Sequence, residues 1–178
     1  ELFYQNKNLN DCIKVKKKYN LPDNYFLSMT STDLRKNIPH LINSFRKFIL
    51  QEKPSDIYLV LAGNYTNSYK LLDDLNIEKS VRERIFIPNQ FIENEDLATV
   101  YSNAVSFFFM STYEGFGLPA LEAMQCGTPV VTSNTTSLPE VVGDAGFLID
   151  PFDQDLLCDT MNKIYISTEL REKYINLG

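Results

Sequence analysis

Six short, almost wholly apolar runs recur along the chain from residue 25 onward, and they give the clearest structural signal in the sequence. The run IYLVLA at residues 57–62 carries no charge and has the length of one strand. Strands that are apolar on both faces are typical of a parallel sheet covered by helices on both sides. The runs predict six strands, at Tyr25–Met29, Ile57–Ala62, Ile85–Ile87, Val105–Phe109, Val130–Thr132 and Phe147–Ile149.

Helical patterns of apolar and polar residues lie between these runs. They predict helices near Leu41–Leu50, Ser68–Leu75, Asp96–Ser102, Pro119–Cys126, Pro139–Val142, Asp155–Ile166 and Glu169–Ile175. Gly127 stands where a left-handed glycine would end a helix, and Ser137 with Glu140 has the spacing of a capping box. The alternation predicts an α/β fold with a doubly wound, Rossmann-like parallel sheet, in which ligands bind beyond the carboxyl ends of the strands.

Composition narrows the class of protein. With 178 residues, 44% apolar and 22% charged, the chain is expected to form one globular domain. The sequence contains no run of 18 apolar residues, the length that a membrane span requires. Its first residues also lack the apolar core of a signal peptide. The three cysteines are widely spaced, which argues against a zinc site or disulfides and favours a cytoplasmic location. A net charge of −6 argues against nucleic acid as a partner.

The amino-terminal segment differs from the rest of the chain. Residues 1–23 are predicted to be a lead-in or interdomain segment, and residues 24–178 the folded domain, because the first convincing strand begins after residue 24. The only histidine, His40, falls at the start of a predicted helix and is expected to be a surface or capping residue.

The segment STYEGFGLPALEAM at residues 111–124 carries the first candidate chemistry. Its glycine-rich half follows a predicted strand and leads into a helix, so that backbone N–H groups and the helix dipole are available to a phosphate. Gly115-x-Gly117-x-x-Ala120 also matches a dinucleotide-binding fingerprint. A nicotinamide- or flavin-dependent oxidoreductase is therefore an alternative, although no carboxylate closes the following strand as that fingerprint requires.

Two glutamates border this loop, eight positions apart, at Glu114 and Glu122. A carboxylate accepts two hydrogen bonds side by side, which matches the vicinal hydroxyls of a sugar. A ligand with both phosphates and sugar hydroxyls, a nucleotide-sugar, would satisfy the loop and the glutamates together. Lys36 follows the first predicted strand, hence lies at the same edge of the sheet, and is the candidate counter-charge for a diphosphate. Its neighbour Arg35 is expected to face solvent.

These segments resemble glycosyltransferase family 4, the retaining nucleotide-sugar transferases of GT-B fold. The resemblance is carried by EGFGLPALEAMQCGTPVVTS and SLPEVVGDAGFLIDPFD, with support from FLSMTSTDLRKNIPHLINSF and VRERIFIPNQFIENEDLATVYSNA. It covers residues 24–178 and implies the carboxyl-terminal, donor-binding half of a GT-B enzyme.

The resemblance also implies roles for individual residues. Glu114 would contact the donor sugar and Lys36 would neutralise the leaving diphosphate, which makes these two the catalytic candidates. Glu122 would bind the ribose, the loop residues would hold the phosphates and the sugar, and Pro88 would border the base. The donor-binding candidates are therefore Glu122, Gly115, Phe116, Gly117, Leu118, Pro88 and Ser31. No metal or other cofactor is expected, since the lysine and the helix dipole would stabilise the departing charge.

Two departures from the family pattern qualify the prediction. Many members have Gly-Arg where this chain has Thr30-Ser31, so that its phosphate site depends more heavily on Lys36. In addition, nothing before residue 24 is long enough to be the amino-terminal domain that supplies the acceptor site. The chain by itself is therefore expected to bind donor without turnover.

The resemblance further implies what the full-length enzyme does. It would transfer a hexose, with mannose from GDP-mannose favoured, from a nucleoside diphosphate sugar to a glycan or lipid-linked acceptor with retention. The setting would be cell-surface polysaccharide synthesis, with peripheral contact to a membrane. A non-catalytic module that binds nucleotide-sugars is the second alternative, beside the oxidoreductase.

Overall fold

A computed structural model describes residues 2–63 and 65–178 of the chain, with side chains at 2–63 and 69–178. Six parallel strands form one sheet in the order β3-β2-β1-β4-β5-β6. The strands are β1 (Tyr25–Thr30), β2 (Tyr58–Gly63), β3 (Ile85–Phe86), β4 (Ser106–Phe109), β5 (Val130–Ser133) and β6 (Gly146–Ile149). All six predicted strands are confirmed, and no observed boundary differs from its prediction by more than one residue.

Helices precede, connect and follow the strands. They are α1 (Leu9–Tyr19), α2 (Ile38–Glu52), α3 (Tyr65–Asp74), α4 (Lys79–Arg82), α5 (Asn94–Ser102), α6 (Leu118–Gln125), α7 (Leu138–Val142), α8 (Gln154–Ile166) and α9 (Thr168–Leu177). Short 3₁₀ turns lie at Leu34–Lys36 and Gly143–Ala145. The predicted glycine stop is confirmed: Gly127 has a φ of +69°, and its N–H donates to the carbonyl of Met124 at 2.9 Å.

Both faces of the sheet are covered, which confirms the doubly wound prediction. Successive residues of β1 point to opposite sides, so that Phe26 packs in one apolar layer and Leu27 in the other. The first layer buries residues of α2, α3, α4 and α8, and the second buries residues of α1, α5, α6 and α7. Strands buried on both faces account for the uninterrupted apolar runs in the sequence.

Helix α1 is an element that the sequence pattern did not predict. Asn8 caps its first turn, since the Asn8 side chain accepts from the backbone N–H groups of Asn10 and Asp11. Only Val15 and Tyr19 of this helix are buried, and both pack in the second apolar layer. The segment before residue 24 therefore contacts the sheet domain, while the domain boundary at residue 24 stays a prediction.

The strand order places a topological switch point between β1 and β4. These two strands pair through Phe26 with Ser106 and Leu27 with Phe107, and the chain winds outward from them in opposite directions. Loops that leave the carboxyl ends of such a pair diverge and leave a crevice, which is where open α/β sheets bind ligands. Here one backbone hydrogen bond joins the loop after β4 to the loop after β1. The N–H of Thr112 donates to the carbonyl of Arg35 at 2.8 Å.

Candidate functional site

The loop after β1 is shaped so that Lys36 turns toward the switch point. Asp33 caps the 3₁₀ turn by accepting from the N–H of Arg35 at 2.9 Å, and Asn37 ends it with a φ of +54°. The Lys36 ammonium lies 2.7 Å from Oε1 of Glu114 and 4.5 Å from the ring centroid of Phe109. The structure thus brings the two predicted catalytic residues into direct contact.

This ion pair is partly withdrawn from solvent, with side-chain exposures of 22% for Lys36 and 16% for Glu114. A Coulomb interaction is screened less at such a position than at an open surface. By contrast, the Arg35 side chain is 58% exposed, pairs with Asp33 at 2.6 Å and lies over the Tyr113 ring. The expectation that Arg35 faces solvent is confirmed, and Lys36 is the cation of this loop that reaches the crevice.

The backbone of Glu114 is held by the loop between β5 and α7. Its N–H donates to Oγ1 of Thr136 at 3.1 Å, and its carbonyl accepts from the hydroxyl of Ser137 at 3.1 Å. Because the Ser137 hydroxyl is used here, it makes no hydrogen bond to the backbone of α7. The predicted capping box of Ser137 and Glu140 is therefore wrong, and the serine fixes the glutamate loop instead.

A second set of hydroxyls holds the residues just before Glu114. Thr135 lies 3.4 Å from the carbonyl of Ser111 and 3.3 Å from that of Thr112, and Ser133 also donates to the Ser111 carbonyl. The side chains of Ser133 and Thr135 are within 3.0 Å of each other. This network joins the ends of β4 and β5. It depends on contacts between residues more than 20 positions apart, which the local sequence pattern does not reveal.

The glycine loop requires glycine at Gly117 but not at Gly115. Gly117 has a φ of +97°, in the left-handed region, and a Cβ there would lie 2.6 Å from Cδ2 of Leu138. A Cβ on Gly115 would meet nothing within 4 Å. Gly117 precedes α6, whose first N–H groups lack partners within the helix, as predicted for a phosphate-binding turn. The loop side chains of Phe116 and Leu118 are 57% and 59% exposed.

Glu122 lies in the second turn of α6 and has a different partner. The hydroxyl of Tyr101, in α5, donates to Oε2 of Glu122 at 3.1 Å. Burial raises the pKa of the Glu122 carboxyl, and the hydrogen bond from Tyr101 opposes that rise. Tyr101 itself is fully buried. Sequence reasoning missed Tyr101, because only the fold brings α5 against α6.

The remaining predicted donor residues lie farther along the same edge. Ser31 is exposed, and its hydroxyl accepts from the N–H of Asp33 at 3.2 Å. Pro88 is buried just after β3, which is two strands away from β1. Ser31 borders a cavity of about 260 Å³ lined also by Thr32, Asp33, Leu34, Ile38, Pro39, Lys70, Leu71 and Asp74. A second cavity of about 350 Å³ is lined by Gly115, Phe116, Leu121, Ser137, Glu140 and Val141.

His40 lies in the first turn of α2, as expected, but it is half-buried rather than exposed at the surface. Its ring lies edge-on to Phe152 with centroids 5.7 Å apart, and its Nε2 is buried without a hydrogen-bond partner. Among the side chains that the structure describes, at residues 2–63 and 69–178, no group of three or more His, Cys, Asp or Glu is arranged to hold a metal ion. The helices in those residues also include none long and apolar enough to cross a membrane.

Comparison with known proteins identifies the family that has this fold and this candidate site. The sequence model of the family "Glycosyl transferases group 1" matches residues 11–178. The chain belongs to this family. Its glycine loop also follows β4 rather than the first strand of the sheet, where a dinucleotide fingerprint would lie. The dinucleotide-binding alternative is therefore not supported.

Individual relatives are longer than this chain. The chain is 41% identical over 148 residues to the O-antigen chain mannosyltransferase B of Escherichia coli, covering 83% of this chain and 38% of that protein. It is 37% identical over 147 residues to the Escherichia coli serotype-specific mannosyltransferase WbdA, covering 80% of this chain and 18% of that protein. It thus spans well under half the length of these relatives.

Solved structures confirm the fold. The carboxyl-terminal domain of a glycosyl transferase group 1 family protein (LpcC) from Francisella tularensis superposes with a TM-score of 0.75 at 19% identity. The match covers 98% of this chain and 90% of that domain. The fold of this chain is therefore the one found in the carboxyl-terminal half of GT-B glycosyltransferases.

Proposed function

We propose that the chain is the donor-binding domain of a retaining hexosyltransferase of glycosyltransferase family 4. The observation that carries this proposal is the contact between Lys36 and Glu114 at the switch point, 2.7 Å between Nζ and Oε1. A cation that could meet a diphosphate and a carboxylate that could meet sugar hydroxyls lie side by side in the loops that follow β1 and β4. In a nucleoside diphosphate sugar, the diphosphate is likewise directly next to the sugar and its hydroxyls.

Each remaining candidate residue has a place in this proposal, Gly115 as part of the loop that leads into α6. The N–H groups of Phe116–Leu118 and the dipole of α6 share the diphosphate charge with Lys36. Glu122 binds the ribose hydroxyls, and Pro88 borders the base. Ser31 lies beside the diphosphate end. These charges and dipoles stabilise the leaving diphosphate without a metal ion.

Donor binding in this proposal separates the two catalytic residues. Without ligand, Lys36 and Glu114 neutralise each other in a partly buried position. An arriving diphosphate competes with Glu114 for the ammonium, and the hexose hydroxyls then give the released carboxylate new partners. The complete donor thus satisfies both side chains, whereas a nucleotide without its sugar satisfies Lys36 and leaves Glu114 without a partner.

The donor sugar is proposed to be mannose, carried as GDP-mannose. Two relatives from Escherichia coli are named as mannosyltransferases, one of them for the O-antigen chain. By similarity, the full-length protein would act on a glycan or lipid-linked acceptor in cell-surface polysaccharide synthesis. The acceptor site would lie in a domain outside these 178 residues, so that the chain alone would bind donor without turnover. A cytoplasmic location with peripheral membrane contact stays a prediction.

Calorimetric titration of the chain with UDP, GDP and ADP tests this proposal. Half of a binding cleft is expected to bind weakly, with a Kd of about 0.1–1 mM or roughly −4 to −5.5 kcal/mol. One nucleotide should bind preferentially, GDP if the sugar is mannose, and Glu122→Gln should lose that binding. Binding of NAD in place of the three nucleotides would contradict the proposal.

A non-catalytic module that binds nucleotide-sugars would give the same titration. Full-length protein incubated with GDP-mannose and acceptor separates the two functions, because only an enzyme forms glycosylated product. The anomeric configuration of that product, read by NMR, tests retention.

A further inference from the structure

Tyr101 differs from the other buried tyrosines because its hydroxyl donates a hydrogen bond to a candidate ligand-binding side chain. The residue has no exposed surface, and its hydroxyl donates to Oε2 of Glu122 at 3.1 Å. Phenylalanine would fill the same volume, so the hydroxyl contributes little to packing. A buried tyrosine hydroxyl needs a hydrogen-bond partner, and here the partner is the carboxylate assigned to the ribose.

The ring of Tyr101 is fixed from several sides. It contacts Phe107 edge-on with centroids 5.2 Å apart, and Phe3 with centroids 6.1 Å apart. Its backbone carbonyl accepts from the hydroxyl of Thr128 at 2.6 Å. Because the side chain has only two rotatable bonds and is fully buried against these rings, the direction of its hydroxyl is set by the core.

We propose that Tyr101 is a positioning residue for donor binding, whose hydroxyl holds one oxygen of Glu122 so that the other faces the ribose hydroxyls. The proposal rests on the function proposed above and deepens it. A glutamate has three rotatable bonds, and fixing it before the ligand arrives lowers the entropy lost on binding. The tyrosine hydroxyl is uncharged, so it fixes the carboxylate without neutralising it. The other carboxylate oxygen can then accept hydrogen bonds from the ribose hydroxyls.

The test compares Tyr101→Phe with the parent chain, using UDP, GDP and ADP and the 2′-deoxy form of each. The variant should bind the preferred ribonucleotide about 3- to 10-fold more weakly, the effect of one ordinary hydrogen bond, because Tyr101 acts on the ligand only through Glu122. It should bind the 2′-deoxynucleotide as the parent does. This ligand lacks one of the hydroxyls that Glu122 would bind, so the position of the Glu122 carboxylate matters less. The preference for ribose over deoxyribose should thus fall in the variant.

Tyr25→Phe is the matched control. Tyr25 is also fully buried, and its hydroxyl donates to the carbonyl of Val100, the residue before Tyr101, at 2.7 Å. Loss of this hydroxyl should lower the melting temperature without changing the preference for ribose. A similar change of preference in both variants would indicate a general structural effect and overturn the role of Tyr101.

The pH dependence of nucleotide binding gives a second measurement. The Tyr101 hydrogen bond lowers the pKa of Glu122 against the effect of burial, so removing the hydroxyl should raise that pKa. As the pH falls from 8 toward 5, Tyr101→Phe should therefore lose ribonucleotide binding at a higher pH than the parent. Cys126 interacts electrostatically with Glu122 but has its pKa raised to about 11 by burial, and it stays protonated over this range.

The outcomes separate this proposal from the proposed function. If Glu122→Gln binds ribonucleotides as well as the parent, the ribose assignment fails and Tyr101 has no role through it. If Glu122→Gln loses binding while Tyr101→Phe keeps both its preference for ribose and its pH profile, the role of Tyr101 alone fails. Failure of all three nucleotides to bind the parent overturns both proposals for this chain.

Discussion

The two glutamates beside the glycine loop lie in contrasting surroundings. Glu114 contacts the ammonium of Lys36 at 2.7 Å, and this partner comes from a loop. Glu122 contacts the neutral hydroxyl of Tyr101 at 3.1 Å, and this partner comes from a wholly buried ring. One carboxylate is thus neutralised by a charge at the crevice, and the other keeps its charge and is held by the core.

The difference indicates how each glutamate would respond to a ligand. A phosphate can replace Glu114 as the partner of Lys36, because both are anions that accept from an ammonium. No ligand can replace the Tyr101 ring without disturbing the core. We therefore expect the Lys36–Glu114 contact to rearrange on donor binding and the Tyr101–Glu122 contact to persist. Four substitutions test this contrast.

Replacing Lys36 should have the largest effect on binding. Lys36→Gln removes the cation at the crevice and leaves Glu114 without its partner. The affinity for the preferred nucleoside diphosphate should fall about 10- to 100-fold, since a hydrogen bond to a charged group contributes roughly 1.5–3 kcal/mol. Calorimetry checks this, with Arg35→Gln as control because Arg35 is exposed and pairs with Asp33. Equal losses in the two variants would contradict the assignment.

Gly117→Ala should disturb both glutamates at once, because Gly117 joins the loop of Glu114 to the helix of Glu122. Its φ of +97° is unfavourable for a residue with a Cβ, at a cost of about 1–2 kcal/mol in the free energy of unfolding. Chemical denaturation should detect this loss, together with weaker nucleotide binding. Gly115→Ala should match the parent in chemical denaturation, since its Cβ meets no protein atom within 4 Å.

Glu114→Gln should tighten the binding of a nucleoside diphosphate that lacks its sugar, by about 3-fold or more. The substitution removes the anion that competes for Lys36 and that repels the phosphates. The complete nucleotide-sugar should gain less, because its hydroxyls lose a carboxylate partner. Titration of the variant with GDP and GDP-mannose measures the two effects. Weaker binding of GDP would show that Glu114 does not compete for Lys36.

Beside its loss of nucleotide binding, Glu122→Gln should give a gain in thermal stability, which is the smallest of the expected effects. Burial raises the pKa of Glu122 above its ordinary value of 4.5, so ionisation is less favourable in the folded chain than in the unfolded one. The carboxylate therefore destabilises the fold at neutral pH, and this effect disappears as the pH falls toward 4.5. Melting temperatures at pH 7 and 4.5 should show an advantage for the variant only at pH 7.

The exposed Glu140 supplies the control for that measurement. Glu140→Gln removes a charge from the surface and should leave the melting temperature unchanged. An equal gain in both variants would indicate a general effect of net charge. A gain confined to Glu122→Gln would mean that Glu122 is retained for binding at the expense of stability.

The sequence predicted the sheet well and the helices less evenly. The six strands were found because strands buried on both faces must be apolar throughout. Helix α1 was missed because only Val15 and Tyr19 are buried, and its other residues are mostly polar. The capping box was wrong because the nearby carbonyl of Glu114, distant in sequence, competes for the Ser137 hydroxyl.

The candidate site shows the same limit. Loop positions after β1 and β4 could be assigned to one edge of a parallel sheet, so proximity of Lys36 and Glu114 was a reasonable expectation. Their direct contact depends on β1 and β4 being neighbours, and the strand order is not written in any local pattern. The partner of Glu122 depends on how α5 packs against α6, which likewise is set only by the assembled fold.

The distance along the chain between Lys36 and Glu114 has a consequence for folding kinetics. These residues are 78 positions apart, so their contact cannot form until β1 has paired with β4. Pairing of parallel strands distant in sequence is slow, because the entropy of closing the loop is lost before the contacts form. In a refolding experiment, helical circular dichroism should therefore recover before nucleotide binding does, and the recovery of binding would time the closure of the central strand pair.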